Sequence, residues 1–276
     1  MMNRVSFSRK KVLLLAVGVA VCVVAIIFSD VKKNREENKL IIACGEDTAG
    51  MVVDYVLKNS SLNAKASDFD SLNVGDCCGS NAQFTLTDDK VGMAVLCPDA
   101  AREFISKNRE YTILGTVTCD SNVLAWNDPD TPPDIIGYMT QRDEQVQLLR
   151  SRYGSEVQLK PMFTSGLVYA MESGAVNGAV LDATVAEGTD YKIETISENQ
   201  PTSVLVVKKK LMGTPQLDDF IEQYNRTVGE LSDDDELWLM LNRWHGDGDH
   251  MIRGKRAEVL KKWKKMNVKI EKLERP

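Results

Sequence analysis

The chain has 276 residues, 43% hydrophobic and 27% charged, an ordinary globular composition long enough for one or two domains with a sizeable core. Its net charge of −6 conceals a polarity: residues 251–276 carry ten Lys/Arg against three Asp/Glu, residues 1–30 carry four against one, and the body between them stands at −16. So acidic a body argues against nucleic acid as the partner, and against an anionic ligand unless a local site overrides the average.

Arg9, Lys10 and Lys11 precede 17 apolar residues without a charge, at 12–28. Such a run is either a signal-peptide core or a short membrane span. Ile27-Phe28-Ser29 offers no small-residue cleavage site, and Val21 stands before Cys22 where a lipoprotein signal needs a small residue. Residues 1–30 therefore read as an uncleaved signal anchor. The basic cluster keeps the N-terminus in the cytoplasm and places the remainder on the extracytoplasmic face of the cell membrane. Residues 31–38 are a charged spacer.

Residues 40–44 read as a buried strand, and Gly45-Glu46-Asp47-Thr48 as a tight loop opening a helix over 51–58. Strand, loop and helix N-terminus point backbone N–H groups at a ligand. A weaker strand at 64–74 leads into Gly75-Asp76-Cys77-Cys78-Gly79-Ser80, and 83–87 fits helix or strand equally. Residues 91–96 form a buried strand, Pro98 starts a helix, and 111–119 and 123–126 are strands joined by Asp120-Ser121-Asn122. Residues 127–133 are a composition break, read as a linker. A strand at 135–138, an amphipathic helix at 143–153 ended by Gly154, and a strand at 157–163 follow. Thr164 and Ser165 open a helix over 167–172, and a strand at 178–182 precedes helical 183–187. After a second linker at 198–201 a strand returns from Ser203. The remainder reads as helices at 217–231, 236–244 and 257–273, the last with Leu260, Trp263, Met266, Ile270 and Leu273 on one stripe.

Five cysteines follow the anchor. If the runs ending near Cys44, Cys97 and Cys119 are parallel strands, all three thiols share one carboxyl edge, where open α/β sheets bind ligands. Disulfides or buried thiols are the default in an oxidising compartment. Against that, an odd count leaves a thiol over, and the neighbours Cys77 and Cys78 can bond each other only through a strained turn. Thiolates are soft donors, and a helix start such as 46–50 lowers a thiol pKa, so a ligand-binding cluster with Cys77 and Cys78 as candidate metal contacts is the preferred reading. There is no Cys-x-x-Cys pair for structural zinc. Glu46 and Asp47 are either paired carboxylates or a helix start. The polar loop from His245 to His250 has metal-ligand residue types but reads as an ordinary turn. With both histidines there, no base stands near the sulfurs, and no catalytic residue or cofactor is assigned.

Two βαβ lobes joined by two crossovers behind an export anchor resemble the substrate-binding components of ABC importers, in the type II periplasmic-binding fold of the nitrate, sulfonate and thiamine-precursor families. The most specific stretch is Phe163-Thr-Ser-Gly-Leu-Val-Tyr-Ala-Met-Glu-Ser-Gly-Ala-Val-Asn-Gly-Ala-Val-Leu-Asp182, a helix followed by a small-residue, apolar strand whose aspartate reaches the cleft. The resemblance spans about residues 39–232. More narrowly, Asp76 to Gly79 resembles the motif of a group in which selenocysteine can replace one cysteine. The chain lacks the lipobox of lipoprotein members and the three-cysteine run of thiamine-pyrimidine relatives.

The resemblance implies an α/β fold of two lobes, each a mostly parallel sheet flanked by helices. Lobe one would be 39–127 plus 202–276, lobe two 134–196, with hinge crossovers at 128–133 and 197–201. It implies a monomer that hands a small molecule, soft metal, metalloid or sulfur compound to permease and ATPase subunits. Lobe one would contact the ligand through Cys44, Gly45, Glu46, Asp47 and Thr48, through Asp76, Cys77, Cys78, Gly79 and Ser80, and through Cys97 and Cys119. Lobe two would offer Thr164, Ser165 and Asp182. The rivals are a membrane-anchored thiol-dependent enzyme, such as an oxidoreductase or a thiamine-precursor-synthase relative, and a ligand sensor without a permease. The anchor is tested directly: the protein is expected to stay with membranes through a high-salt wash, and a soluble mature form starting near Asp30 would refute it.

Overall fold

The computed structural model describes residues 40–59, 69–74, 85–88, 90–246 and 255–275. The anchor run, the 76–80 loop and the 247–250 loop lie outside them. No helix among the described residues is long and apolar enough to cross a membrane.

Eleven strands are described. The first lobe holds β1 (Leu40–Gly45), β2 (Phe69–Val74), β3 (Val91–Leu96) and β4 (Tyr111–Cys119). The second holds β5 (Asn122–Trp126), β6 (Ile135–Met139), β7 (Gln158–Met162), β8 (Gly178–Asp182) and β9 (Lys192–Thr195). The chain then returns to the first with β10 (Pro201–Lys208) and β11 (Lys269–Ile270). The sheet orders are β11-β4-β10-β3-β1-β2 and β7-β6-β8-β5-β9. β2 and β3 flank β1 in parallel, and β10 runs antiparallel between β3 and β4. Thus β1 to β4 all point to one edge. In the second sheet β6, β7 and β8 are parallel, with β5 antiparallel to β8 and β9. β3 and β8 are buried along their whole length, which is why they read as continuous apolar runs.

The helices are α1 (Thr48–Asn59), α2 (Pro98–Lys107), α3 (Asp143–Tyr153), α4 (Leu167–Glu172), α5 (Ala183–Glu187), α6 (Pro215–Glu230), α7 (Asp234–Gly246) and α8 (Arg256–Lys265). α6 shows why they form where they do. The Thr214 hydroxyl accepts from the Leu217 amide at 3.3 Å, Pro215 occupies the first turn, and Leu217, Phe220, Ile221, Tyr224 and Val228 bury one face. One contiguous apolar cluster runs through both lobes, from Ile42, Met93 and Leu205 to Val123, Ala179 and Leu181.

Three expectations change. Residues 122–126 pair with β8 and β9, so β5 belongs to lobe two, and 128–133 is a connection inside that lobe rather than a hinge. The first crossover is Asp120–Ser121. β9 was not foreseen, because its polar ends hide the strand. The last helix stops at Lys265: Asn267 takes the left-handed φ of 55°, and Ile270, β-branched, pairs with Thr118 in extended conformation.

Asp120, 1% exposed, fastens one crossover to the other. Its Oδ1 accepts from Ser197 Oγ (2.7 Å) and the Gln200 amide (3.0 Å), and its Oδ2 accepts from the Asn199 amide (2.8 Å). Its own amide donates to the Gln200 carbonyl at 3.0 Å, and its φ of 57° is one that Asp tolerates. Beside it the Thr202 hydroxyl meets those of Thr118 (3.0 Å) and Ser121 (2.9 Å). Asp120→Ala leaves three partly buried donors without an acceptor and is expected to cost about 1–3 kcal/mol in urea denaturation, with Asp120→Asn losing less because it keeps the turn and one acceptor. Equal stability of Asp120→Ala and the parent would refute the clamp.

Candidate functional site

The carboxyl edges of the two sheets meet at one carboxylate. Asp182 ends β8, is 6% exposed and caps α5, its Oδ1 accepting from the Thr184 amide (3.0 Å) and hydroxyl (2.7 Å). The same oxygen accepts from the amide (3.0 Å) and hydroxyl (2.7 Å) of Thr48, the first residue of α1 in the other lobe. α1 reaches this point because it springs directly off β1. A Cβ on Gly50 would lie 1.9 Å from the Gly45 carbonyl oxygen, so only glycine permits the approach. Asp47 starts the helix, its Oδ1 accepting from the Gly50 amide at 2.9 Å. Burial first, and then the Asp47 charge, push the Asp182 carboxyl up to about 6, against the pull of the Thr48 and Thr184 donors.

Beside this contact lies a small cavity of about 20 Å³. Pro98 and Asp99 of α2 form one wall, Arg142 and Gln145 the opposite one, and Asn122 and Gln200 part of the remainder. Asn122 is the β5 residue opposite Asp182. Arg142 is buried and immediately precedes α3, and Gln141 before it takes the left-handed φ of 60°. Gln145 Oε1 accepts from the Met139 amide at 3.1 Å. Across the cleft Arg102 of α2 pairs with Glu144 of α3 while also holding Asp99 at 2.8 Å. A further link lies at the rear, where Lys262 of α8 donates to the carbonyls of Glu187 (2.7 Å) and Thr189.

The thiols sit on the expected edge but apart. Cys44 near the end of β1, Cys97 just after β3 and Cys119 at the end of β4 are all buried, none in a disulfide with another described cysteine. β10 and β3 separate β4 from β1, so Cys44 and Cys119 stand roughly 14 Å apart at about 4.8 Å per strand, far beyond the about 2.3 Å of a metal–sulfur bond. Among the described residues no three His, Cys, Asp or Glu side chains gather to hold a metal ion. The expected lowering of thiol pKa is reversed. Burial, with Asp47 and Asp54, pushes Cys44 up to about 12, and burial, with Glu271 and Asp120, pushes Cys119 up to about 11. Thiols held protonated are poor nucleophiles. Thr164 and Ser165 form a turn after β7, two strands from β8 and more exposed than Asp182; Glu46 is exposed. Asp76, Cys77, Cys78, Gly79 and Ser80 lie outside the described residues, although β2, which precedes them, ends on this edge at Val74.

Solved structures share the fold. The alkanesulfonate-binding protein of Xanthomonas axonopodis pv. citri, bound to MOPS, matches with a TM-score of 0.60 and 12% identity over 83% of this chain and 84% of its own. The zinc-bound ligand-binding component of an ABC-type import system from Staphylococcus aureus matches at 0.62 and 11%, covering 86% of each chain. An ABC transporter structure from Parabacteroides distasonis matches at 0.65 and 15%, covering 85% of this chain and 86% of its own. This chain has the type II periplasmic-binding fold. No protein-family model and no curated protein matches the sequence. In this fold the Thr48–Asp182 bond joins one lobe to the other directly.

Arg142 and Gln145 were not foreseen as site residues, although the rule that found Thr48 and Thr164, a helix start after a parallel strand, also points to the turn after β6. The Asp182 contact has a pH signature. Burial and the neighbouring Asp47 favour its protonated form in the native state despite the donors, so the native state binds more protons than the unfolded chain between the ordinary carboxylate range and about pH 6, and stability falls as pH rises through that window. Asp182→Asn cannot ionise, so its melting temperature is expected to fall less than the parent's between about pH 4 and about pH 7. Parallel melting curves for the two proteins would refute this.

Proposed function

We propose that this chain is the extracytoplasmic solute-binding component of an ABC importer, anchored by residues 1–30 and acting as a monomer. It takes a small ligand between the lobes and passes it to permease and ATPase subunits. The observation that carries this reading is the meeting of two carboxyl edges at Thr48 and Asp182, a contact that must break and re-form if a ligand enters from solvent. Lobe closure about two crossovers is the motion this architecture permits. The matched import components support the same role.

Within the cleft, Cys77 and Cys78 are assigned as the principal ligand contacts, on the chemistry of adjacent soft donors, with Cys97, at the start of α2, as a further thiol of the same lobe. The ligand is then a soft metal, a metalloid or a sulfur-bearing molecule. Thr48 and Ser165 supply hydrogen bonds from opposite lobes.

The experiment is titration of the purified protein with Zn²⁺, Cu⁺, arsenite and small thiols, followed by calorimetry and small-angle X-ray scattering. At least one of these is expected to bind and reduce the radius of gyration. The double substitution Cys77→Ser, Cys78→Ser is expected to weaken that binding at least tenfold, about 1.4 kcal/mol, with little change in melting temperature. Unchanged affinity with a large loss of thermal stability would make the pair structural instead, and an unchanged scattering curve with every probe would overturn the binding reading.

A further inference from the structure

We propose that Asp182 is a built-in competitor of the ligand: seated on the start of α1, it latches the lobes shut by itself, and an incoming molecule must displace it. The proposal rests on the solute-binding reading and adds to it a closed state that exists before ligand arrives.

Thr48 carries the argument. It opens a 12-residue helix, so its amide has no acceptor within that helix. With its hydroxyl it forms a pair of donors at the carboxyl edge of the first sheet, where this kind of sheet holds a ligand. Both donors are already committed. Asp182 Oδ1 accepts from the amide at 3.0 Å and from the hydroxyl at 2.7 Å, and Thr48 is fully buried. The acceptor comes from the opposite lobe, so satisfying these donors and closing the cleft are one event.

Asp182 is shaped for this part. It is held in place within its own lobe, because it caps α5 and the Thr184 amide (3.0 Å) and hydroxyl (2.7 Å) fix Oδ1. Little further ordering is then needed when it meets α1. The first turn of α1 has no acidic residue, and Asp47, just ahead of it, gives Oδ1 to the Gly50 amide. The carboxylate that the positive end of a helix favours at Thr48 is thus supplied by lobe two. Beside the contact the cavity of about 20 Å³ has room for about one water, so a larger ligand enters only when the contact opens. The other front contact, Arg102 with Glu144, lies on partly exposed side chains and holds the lobes only lightly. Ligand therefore binds the fraction of molecules whose latch is open, and its apparent affinity is reduced by that fraction.

The test reads hydrogen exchange at single amides in the full chain with no ligand added, for the parent, Asp182→Ser and Thr48→Val. Serine is a good helix cap, but its oxygen sits one bond nearer the backbone, so Asp182→Ser keeps α5 and releases Thr48. The Thr48 amide is expected to exchange at least tenfold faster in Asp182→Ser than in the parent, with the Thr184 amide protected in both. If Asp182→Ser does not fold, Thr48→Val decides: it loses one of the two bonds, keeps the side-chain shape and is expected to exchange at least threefold faster at amide 48. Exchange of the parent's Thr48 amide at the rate of an unstructured peptide, or equal protection in parent and variant, overturns the latch. In the titrations with Zn²⁺, Cu⁺, arsenite and thiols, a probe that binds the parent is expected to bind Asp182→Ser at least threefold more tightly and to shrink it more, because more of it starts open. Equal affinity overturns the competition. Failure of every probe with both proteins removes the solute-binding reading, while exchange without ligand still decides the latch.

Discussion

Oδ1 of Asp182 accepts from four donors, two on each side of the cleft, and the relation between the lobes depends on that atom. Taking a carboxylate out of water is costly unless hydrogen bonds replace its hydration. Thr184 supplies two of them within lobe two, and Thr48 supplies two from the other lobe. The opposing influence is Asp47, a second carboxylate at the same helix start, which makes the ionised form of Asp182 less favourable. The four donors and the neighbouring like charge thus act on Asp182 in opposite senses.

The remaining links between lobes divide into fixed and separable ones. Asp120, with the Thr118, Ser121 and Thr202 hydroxyls, binds crossover to crossover at the pivot, where the geometry changes least in a hinge motion. Arg102 with Glu144, on partly exposed side chains, adds little net stability and screens readily. Lys262 on the Glu187 and Thr189 carbonyls closes the rear of the molecule and makes α8, in sequence part of lobe one, a strap onto lobe two. The basic character of that helix thus has one specific use beyond solvation.

Much of the fold was legible because β1, β3, β4 and β8 are apolar runs with sharp ends at glycine, proline or a charged residue. The lobe boundary was less so. Asn127 to Pro133 carries strong turn chemistry, but turn chemistry marks a break in the chain and not which sheet the preceding strand joins. That choice is made by long-range pairing of β5 with β8, which no local pattern reports. The stripe of Leu260, Trp263, Met266, Ile270 and Leu273 looked like one helix because an apolar strand and an apolar turn can mimic the same spacing; the left-handed Asn267 decides otherwise. Thr48 and Asp182 were placed at a sheet edge by their position in the sequence, and in the structure they bond to each other across the lobes. The thiols of Cys44 and Cys119 were placed on the right edge, but two intervening strands separate their own strands, and burial raises their pKa values where proximity to a helix start was expected to lower them.

The insertion of β10 between β3 and β4 has a consequence for how the chain is made. Lobe two is continuous from Asn122 to Thr195 and holds all five of its strands in one stretch. Lobe one is not: Val206 pairs with Ala94 on one side and Ile113 on the other, so β3 and β4 have no partner between them until residues beyond 200 have emerged. During synthesis the second lobe has everything it needs first, while the earlier-made strands of the first lobe wait with open edges. Their pairing also closes long loops, which slows folding relative to local contacts. The discontinuity that creates two crossovers for a hinge therefore leaves the oldest part of the nascent chain dependent on the youngest.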